Sequence, residues 1–87
     1  MDIFINNLPS LDLHGYDRES ARVAINDFIN DNIHMKNQKI VIIHGKGTGI
    51  LKEVTRNTLS KSKYVKNFQT SYFNDGCTIV ELQMVVL

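Results

Sequence analysis

Four consecutive β-branched residues, Ile40-Val41-Ile42-Ile43, run directly into His44-Gly45-Lys46-Gly47-Thr48-Gly49, and this stretch constrains the chain more than any other. The apolar run is too short for a free-standing helix. Its continuity, without alternation, predicts a strand buried on both faces. Glycine at every second position then predicts a turn, with Thr48 expected to cap a helix that follows. A buried strand feeding a glycine-rich turn and a helix is where α/β folds hold ligand groups. Glycine lets a backbone N–H approach an anion closely, and the helix directs its positive end to the same spot. His44 is expected at the carboxyl edge of the strand, held rigidly and within reach of solvent.

The rest of the chain organises around that stretch. Ser10 to His14 alternates, with Leu11 and Leu13 on one face and Asp12 and His14 on the other, which predicts a short strand closed by Gly15. Asp17 is a good N-cap. Ala21, Ala24, Ile25, Phe28, Ile29 and Ile33 recur at helical spacing, and Asn30, Asp31 and Asn32 weaken the end of that helix. Strand, helix and strand at this spacing form a βαβ unit with parallel strands. Ile50, Leu51, Val54 and Leu59 give the second helix its apolar side. Residues 65–73, carrying Phe68 and Tyr72, predict a third strand. Asn74-Asp75-Gly76 is a turn by composition, and residues 77–82 predict a fourth strand antiparallel to the third. The expected fold is a two-layer α/β (α+β) sandwich, βαβαββ, with a four-stranded mixed sheet and two helices on one face. Residues 1–9 form a lead-in, 10–83 the domain and 84–87 an apolar tail suited to extending the last strand or to a dimer contact.

With 87 residues the chain is long enough for one small domain. A single cysteine, Cys77, excludes an internal disulfide and is compatible with a reducing, cytoplasmic setting. No apolar run approaches the ~20 residues of a membrane span, and no signal peptide is evident. Net charge is only +1, but it is unevenly spread. Residues 44–66 carry Lys46, Lys52, Arg56, Lys61, Lys63 and Lys66 against Glu53 alone. That excess is the footprint expected for a polyanion, or else a solvated lysine-rich helix face.

In a parallel βαβ unit both strands end at one edge of the sheet. Asp12, His14, His44 and the backbone amides of residues 45–49 are therefore expected to share a cleft, with Lys46 beside them. Two imidazoles titrating near neutrality suit acid–base chemistry, and a lysine with free amides suits a phosphate. Each feature alone is weak. A strand-end histidine is usually a polar terminus, Asp12 alone can cap a turn, and Gly45-Lys46-Gly47-Thr48-Gly49 fits neither the Walker A spacing nor the dinucleotide fingerprint. His34, at the ragged end of the first helix, is expected to be exposed and idle.

Together, Leu11-Asp12-Leu13-His14-Gly15 resembles the LDxHG motif of the Smr (small MutS-related) family, and His44-Gly45-Lys46-Gly47-Thr48-Gly49-Ile50-Leu51 resembles its HGxGxGxL motif. Thr78-Ile79-Val80-Glu81-Leu82 is similar to the closing strand, so the resemblance runs from Leu11 to Leu82. It implies a fold like the C-terminal domain of bacterial translation initiation factor three, and a nucleic-acid endonuclease linked to DNA repair or ribosome quality control. Smr domains stand alone in bacteria, end the second bacterial MutS paralogue, and occur in eukaryotic proteins that cleave mRNA on stalled ribosomes. The positions matching the family's functional ones are Asp12, His14, His44, Gly45 and Gly47. The family's longer glycine-rich loop before the last strand is reduced here to Asn74-Asp75-Gly76. The chain carries no ATPase or DNA-clamp region, which leaves a stand-alone form or an excised C-terminal domain.

The expected enzyme is a phosphodiesterase in which Asp12, His14 and His44 are catalytic, Asp12 orienting one imidazole. Gly45, Lys46, Gly47, Gly49, Lys52 and Arg56 are expected to hold phosphate. No metal ligand set stands out: one carboxylate and two histidines make a thin site. Attack by a ribose 2′-hydroxyl needs no metal, whereas attack by water would favour a divalent ion (Mg or Mn) on Asp12. Partners expected are DNA or RNA, with the ribosome as presenter, no membrane, and a monomer unless the tail self-associates. The rival readings are a non-catalytic nucleic-acid- or ribosome-binding module of a larger MutS-like protein, and an interaction domain using residues 84–87.

Overall fold

The computed structural model describes residues 7–72 and 74–83. The elements are β1 (Ser10–Asp12), α1 (Arg18–His34), β2 (Lys39–Ile43), α2 (Ile50–Ser60), β3 (Val65–Thr70) and β4 (Cys77–Leu82). The expected lead-in and apolar tail lie largely outside the described residues. The four strands form one sheet in the order β1-β2-β4-β3. β1 runs parallel to β2, while β4 is antiparallel to both β2 and β3. β4 therefore sits inside the sheet, between the buried strand and the third. Among the described residues no helix is long and apolar enough to cross a membrane.

α1 starts where its sequence allows. The Asp17 carboxylate accepts the Ser20 N–H at 2.8 Å, and the Ser20 hydroxyl oxygen accepts the Asp17 N–H at 3.1 Å. This reciprocal box satisfies donors that the first turn leaves without helical partners. Ala21, Ile25 and Ile29 face the sheet and are buried. Asn32 does not fray the helix. It is fully buried, donates to the Phe28 carbonyl at 2.8 Å and accepts from the Asn37 side chain at 2.8 Å, so the helix continues to His34.

The core forms on one side of the sheet. Leu13, Ile40, Ile42, Val80 and Leu82 meet Ala21, Ile25 and Ile29 of α1 and Leu59 of α2, which places both helices on that face. Val41 is also buried, at 2% exposure, although its parity turns it to the opposite side. The expectation that β2 is buried on both faces holds for Ile40, Val41 and Ile42, with Ile43 partly covered. The most fully buried of these side chains each remove apolar surface worth about 1.5–3 kcal/mol from water.

Four local expectations are corrected. β1 stops at Asp12, because after Leu13 donates to the Ile43 carbonyl the chain turns away from its partner. β3 stops at Thr70, and Tyr72 lies in the β3–β4 connection, 87% exposed. Ile50 is on the exposed side of α2, whereas Thr55 and Thr58 are buried. The Thr55 hydroxyl satisfies itself on the Leu51 carbonyl at 2.8 Å, which lets a polar residue occupy the inner face. Gly49, not Thr48, is the N-cap of α2. It adopts φ +85°, a left-handed conformation open to glycine, and Thr48 makes only a long 3.4 Å contact from its hydroxyl to the Ile50 N–H.

Candidate functional site

The carboxyl ends of β1 and β2 lie side by side, as a parallel pair requires, with Asp12 opposite Ile43. Their side chains nevertheless diverge. Asp12 shares the face of Ile43, away from the helices. His44 follows the parity of Ile40 and Ile42, the helix side. Asp12 accepts the backbone N–H of His14 at 2.9 Å, so its carboxylate closes a short turn over residues 12–14 and bonds to neither imidazole; the turn from Leu13 to Tyr16 is closed by the Tyr16 N–H donating to the Leu13 carbonyl. The role foreseen for Asp12 as an orienter of a histidine ring is thus filled otherwise, because a carboxylate two residues before a free N–H closes an Asx turn at short range. His14 is exposed.

His44 is buried, at 6% exposure, rather than open to solvent. Its Nδ1 lies 3.0 Å from the Gly45 carbonyl and its Nε2 lies 2.8 Å from the Thr78 hydroxyl. A carbonyl can only accept, so Nδ1 carries the proton. In the neutral ring Nε2 is then an acceptor, and the Thr78 hydroxyl donates to it. Burial pushes the His44 pKa below its ordinary value. The Gly45 carbonyl and the charge of Asp75 work against that shift, and the charge of Lys52 adds to it. The ring is neutral at neutral pH, in one tautomer.

The glycine turn is anchored from behind. The N–H groups of His44 and Gly45 both donate to the Gly76 carbonyl at 2.9 Å. Gly76 comes so close that a Cβ there would meet the Gly45 Cα and carbonyl carbon at 3.3 Å. The short Asn74-Asp75-Gly76 connection thus clamps the turn after β2. The Gly45 amide is consequently occupied and does not face a ligand. Beyond it, the N–H groups of residues 46–49 find no acceptor among the described residues, and the N-cap Gly49 offers the first turn of α2 no side-chain cap, leaving only the long Thr48 contact to the Ile50 N–H. Lys46, foreseen as a phosphate holder, pairs with Asp75 at 3.4 Å, with both side chains well exposed.

Lys52 and Arg56 lie one helical turn apart along α2. With Gly49, Glu53 and Asn57 they line a groove of about 420 Å³. Arg56 also borders a smaller recess of about 130 Å³ whose walls include Phe68, Thr70 and Thr78. Thr78, whose hydroxyl is bonded to His44, is one of its lining residues. Among the described residues, no three His, Cys, Asp or Glu side chains gather as a metal site. Asp12 and His44 on opposite faces do not supply one.

Thr78 and Asp75 matter here and were not singled out from the sequence. The signal for Thr78 was a polar residue at a core position of a closing strand, in step with Val80 and Leu82. Asp75 gave none, because its partner Lys46 is distant in sequence and the contact depends on the clamp. His34 is exposed, with Nδ1 on the Asn30 carbonyl at 2.8 Å, and takes no part in the site.

Comparison with known proteins bears on this arrangement. The family model described as the Smr domain matches residues 11–83. The chain is 39% identical over 77 residues to Endonuclease MutS2 of Caldanaerobacter subterraneus subsp. tengcongensis, covering 85% of this chain and 10% of that protein. It is 41% identical over 76 residues to Endonuclease MutS2 of a Geobacillus species, covering 84% and 10%. It therefore spans about a tenth of the length of these curated relatives. The crystal structure of the Smr domain of Thermus thermophilus MutS2 superposes with a TM-score of 0.84 at 25% identity, covering 87% of this chain and 99% of that one. YdaL, a stand-alone small MutS-related protein from Escherichia coli, has the same fold, with a TM-score of 0.81 at 24% identity over 85% and 63% of the chains.

Proposed function

The chain belongs to the Smr domain family, and from that premise we propose that it is a nucleic-acid phosphodiesterase. The observation that carries the reading is a buried, neutral His44 next to a glycine turn with free amides. The turn opens into a helix bearing Lys52 and Arg56. Such a corner can hold a phosphate by dipole and charge while a neutral base stands beside it. The similarity to proteins named Endonuclease MutS2 supports the same chemistry.

The division of labour follows from the environments. His44, kept neutral, is suited to take a proton from an attacking hydroxyl. To do so Nε2 exchanges the Thr78 hydroxyl for that of the substrate, or Thr78 passes the proton on. His14, exposed in the turn that follows β1, is the group we assign to protonating the leaving oxygen. Leu51 and Lys52 amides, the Lys52 ammonium and the Arg56 guanidinium would neutralise the phosphate as charge builds. Among the described residues no metal ligand set gathers. Two imidazoles beside a phosphate-holding turn suit attack by a ribose 2′-hydroxyl, which makes RNA the fitting substrate.

The test is cleavage of labelled single-stranded RNA and of a supercoiled plasmid, with and without EDTA, by wild type, His14→Ala and His44→Ala. RNA cutting that survives EDTA and is lost in both variants supports the reading. Products with 5′-phosphate ends and loss of activity in EDTA overturn the metal-free route. A second reading, a binding module without catalysis, is favoured by one specific observation: both ring nitrogens of His44 are already engaged. Folded wild type that binds RNA and never cuts it establishes that reading instead.

A further inference from the structure

Beside α2, and away from His44, lies a second groove of about 440 Å³ between the two helices. Arg18, Arg22 and Asn26 form its α1 wall. They stand at i, i+4 and i+8, so they make one stripe along the helix. Lys61, Asn57 and Ser62 face them from the end of α2 and the residues after it. Asn57 also lines the groove that holds Lys52 and Arg56, so the two depressions flank one side chain. Counted along the sequence, the first half of the chain is acidic. In the fold its two helix arginines turn toward α2, while Asp27 and Asp31 fall on the far side of the α1 circuit, outside the groove.

We infer that this inter-helix groove is a second backbone-binding segment for single-stranded nucleic acid, continuing the track that begins at the glycine turn. The inference rests on the functional reading above, and it adds Arg18, Arg22 and Lys61 to the contact surface. Charge complementarity identifies the occupant. Together the two grooves present Lys52, Arg56, Lys61, Arg18 and Arg22 against Glu53 and Glu19; the inter-helix groove adds the Asn26 and Asn57 amides and the Ser62 hydroxyl, over a floor that includes the apolar Val54. Amide and hydroxyl donors with guanidinium forks match phosphate and sugar oxygens. The walls carry no aromatic platform and no helix set to enter a duplex groove, so contact runs along a backbone and not to bases. α2 is about 16 Å long at 1.5 Å per residue, which spans two to three phosphates of an extended strand. Glu19 tempers the groove: its carboxylate pairs with the Arg22 guanidinium and holds that cation in place.

The experiment is anisotropy binding of fluorescein-labelled oligo(U) of about 4 and about 12 nucleotides, spanning the usual range of single-strand sites, across a salt series. Proteins compared are wild type, Arg18→Gln/Lys61→Gln, Glu19→Gln and Lys52→Gln, each checked for folding by circular dichroism. Wild type is expected to prefer the longer strand. Arg18→Gln/Lys61→Gln should lose most of that preference, and its slope of log K against log salt for the longer strand should fall by about 1.4, for two contacts. Glu19→Gln should bind the longer strand about two- to threefold more tightly, since it removes an acid and frees Arg22. Lys52→Gln should weaken both lengths. An unchanged slope and length preference in Arg18→Gln/Lys61→Gln overturns the groove while leaving the glycine-turn reading intact. No binding of either strand by wild type overturns both. Displacement of the longer strand by polyglutamate as efficiently as by unlabelled oligo(U) overturns nucleic acid as the occupant.

Discussion

The Thr78 hydroxyl lies 2.8 Å from Nε2 of His44, and the pair ties the end of β2 to the neighbouring strand β4 within the buried layer. Both residues are nearly inaccessible, at 1% and 6% exposure. A hydrogen bond there is protected from water, and losing one partner strands the other. Thr78→Val keeps the shape and removes the donor. It should cost about 1–3 kcal/mol in urea denaturation, the range for an unsatisfied buried group. Thr78→Ser should restore most of the loss. Equal stability of Thr78→Val and wild type would show that the bond contributes nothing.

The depressed pKa of His44 makes stability depend on pH with a definite sign. The unfolded ring titrates near about 6.5 and the folded one lower, so between the two values the unfolded state binds more protons. The contribution of His44 is therefore complete above the unfolded pKa and is lost as pH falls through the folded one. The urea midpoint should decline as pH drops below about 6.5, and His44→Asn should flatten that decline even though it starts from lower stability. Asp17 and Glu19 are held below their ordinary values by Ser20 and Arg22 respectively, so they act in the same direction only in the acid range below about pH 4.5. A curve for wild type that is flat from pH 7 to pH 5 would contradict a neutral, buried His44.

A Cβ added at Gly49 would meet no neighbour within 4 Å, so any penalty at this site is conformational and not steric. At φ +85° an alanine is strained by about 1–2 kcal/mol, and asparagine by less. Gly49→Ala should destabilise by that amount and weaken oligonucleotide binding as the start of α2 shifts. Gly49→Asn should lie between alanine and wild type in both measurements. An order with asparagine worst would point to a different constraint.

Lys46 and Asp75 form an exposed pair, with side chains 70% and 67% accessible. Pairs of this kind contribute about 0–1 kcal/mol. Asp75→Asn should leave the unfolding midpoint within ~0.5 kcal/mol of wild type. It also removes the acid beside the glycine turn and releases Lys46, so RNA should bind more tightly, most clearly at low salt. Weaker binding in Asp75→Asn would mean that the acid helps shape the turn.

The arrangement of elements was legible because it is written in local patterns. Alternation around Leu11 and Leu13, helical spacing from Ala21 to Ile33, and the unbroken run Ile40 to Ile43 are short-range signals of backbone period. The paired LDxHG and HGxGxGxL motifs were equally visible, and they located the edge of the sheet where β1 and β2 end. The limits of that legibility fall where a local signal admits several partners. Thr48 and Gly49 both suit a helix start, and the left-handed turn at Gly49 decided between them. Asn32 looked like a weak helix residue until the carbonyl of Phe28 and the side chain of Asn37 satisfied it.

By itself, then, the sequence determined the order of strands and helices, most of the apolar residues that fill the core and the sheet edge where the candidate site lies. All of these follow from patterns along a single strand or helix. Only the tertiary structure decided which partners the candidate site residues meet there. The side-chain period of two turned Asp12 and His44 to opposite faces of one sheet. Placing β4 beside β2 supplied Thr78 to His44 and Gly76 to the glycine turn, across a sequence distance that no local pattern spans. Packing α1 on α2 gathered Arg18, Arg22 and Lys61 into one groove from segments of opposite overall charge. Hydrogen-bond partners, burial and the summed field depend on what lies nearby in space, and the linear chain leaves that open until it folds.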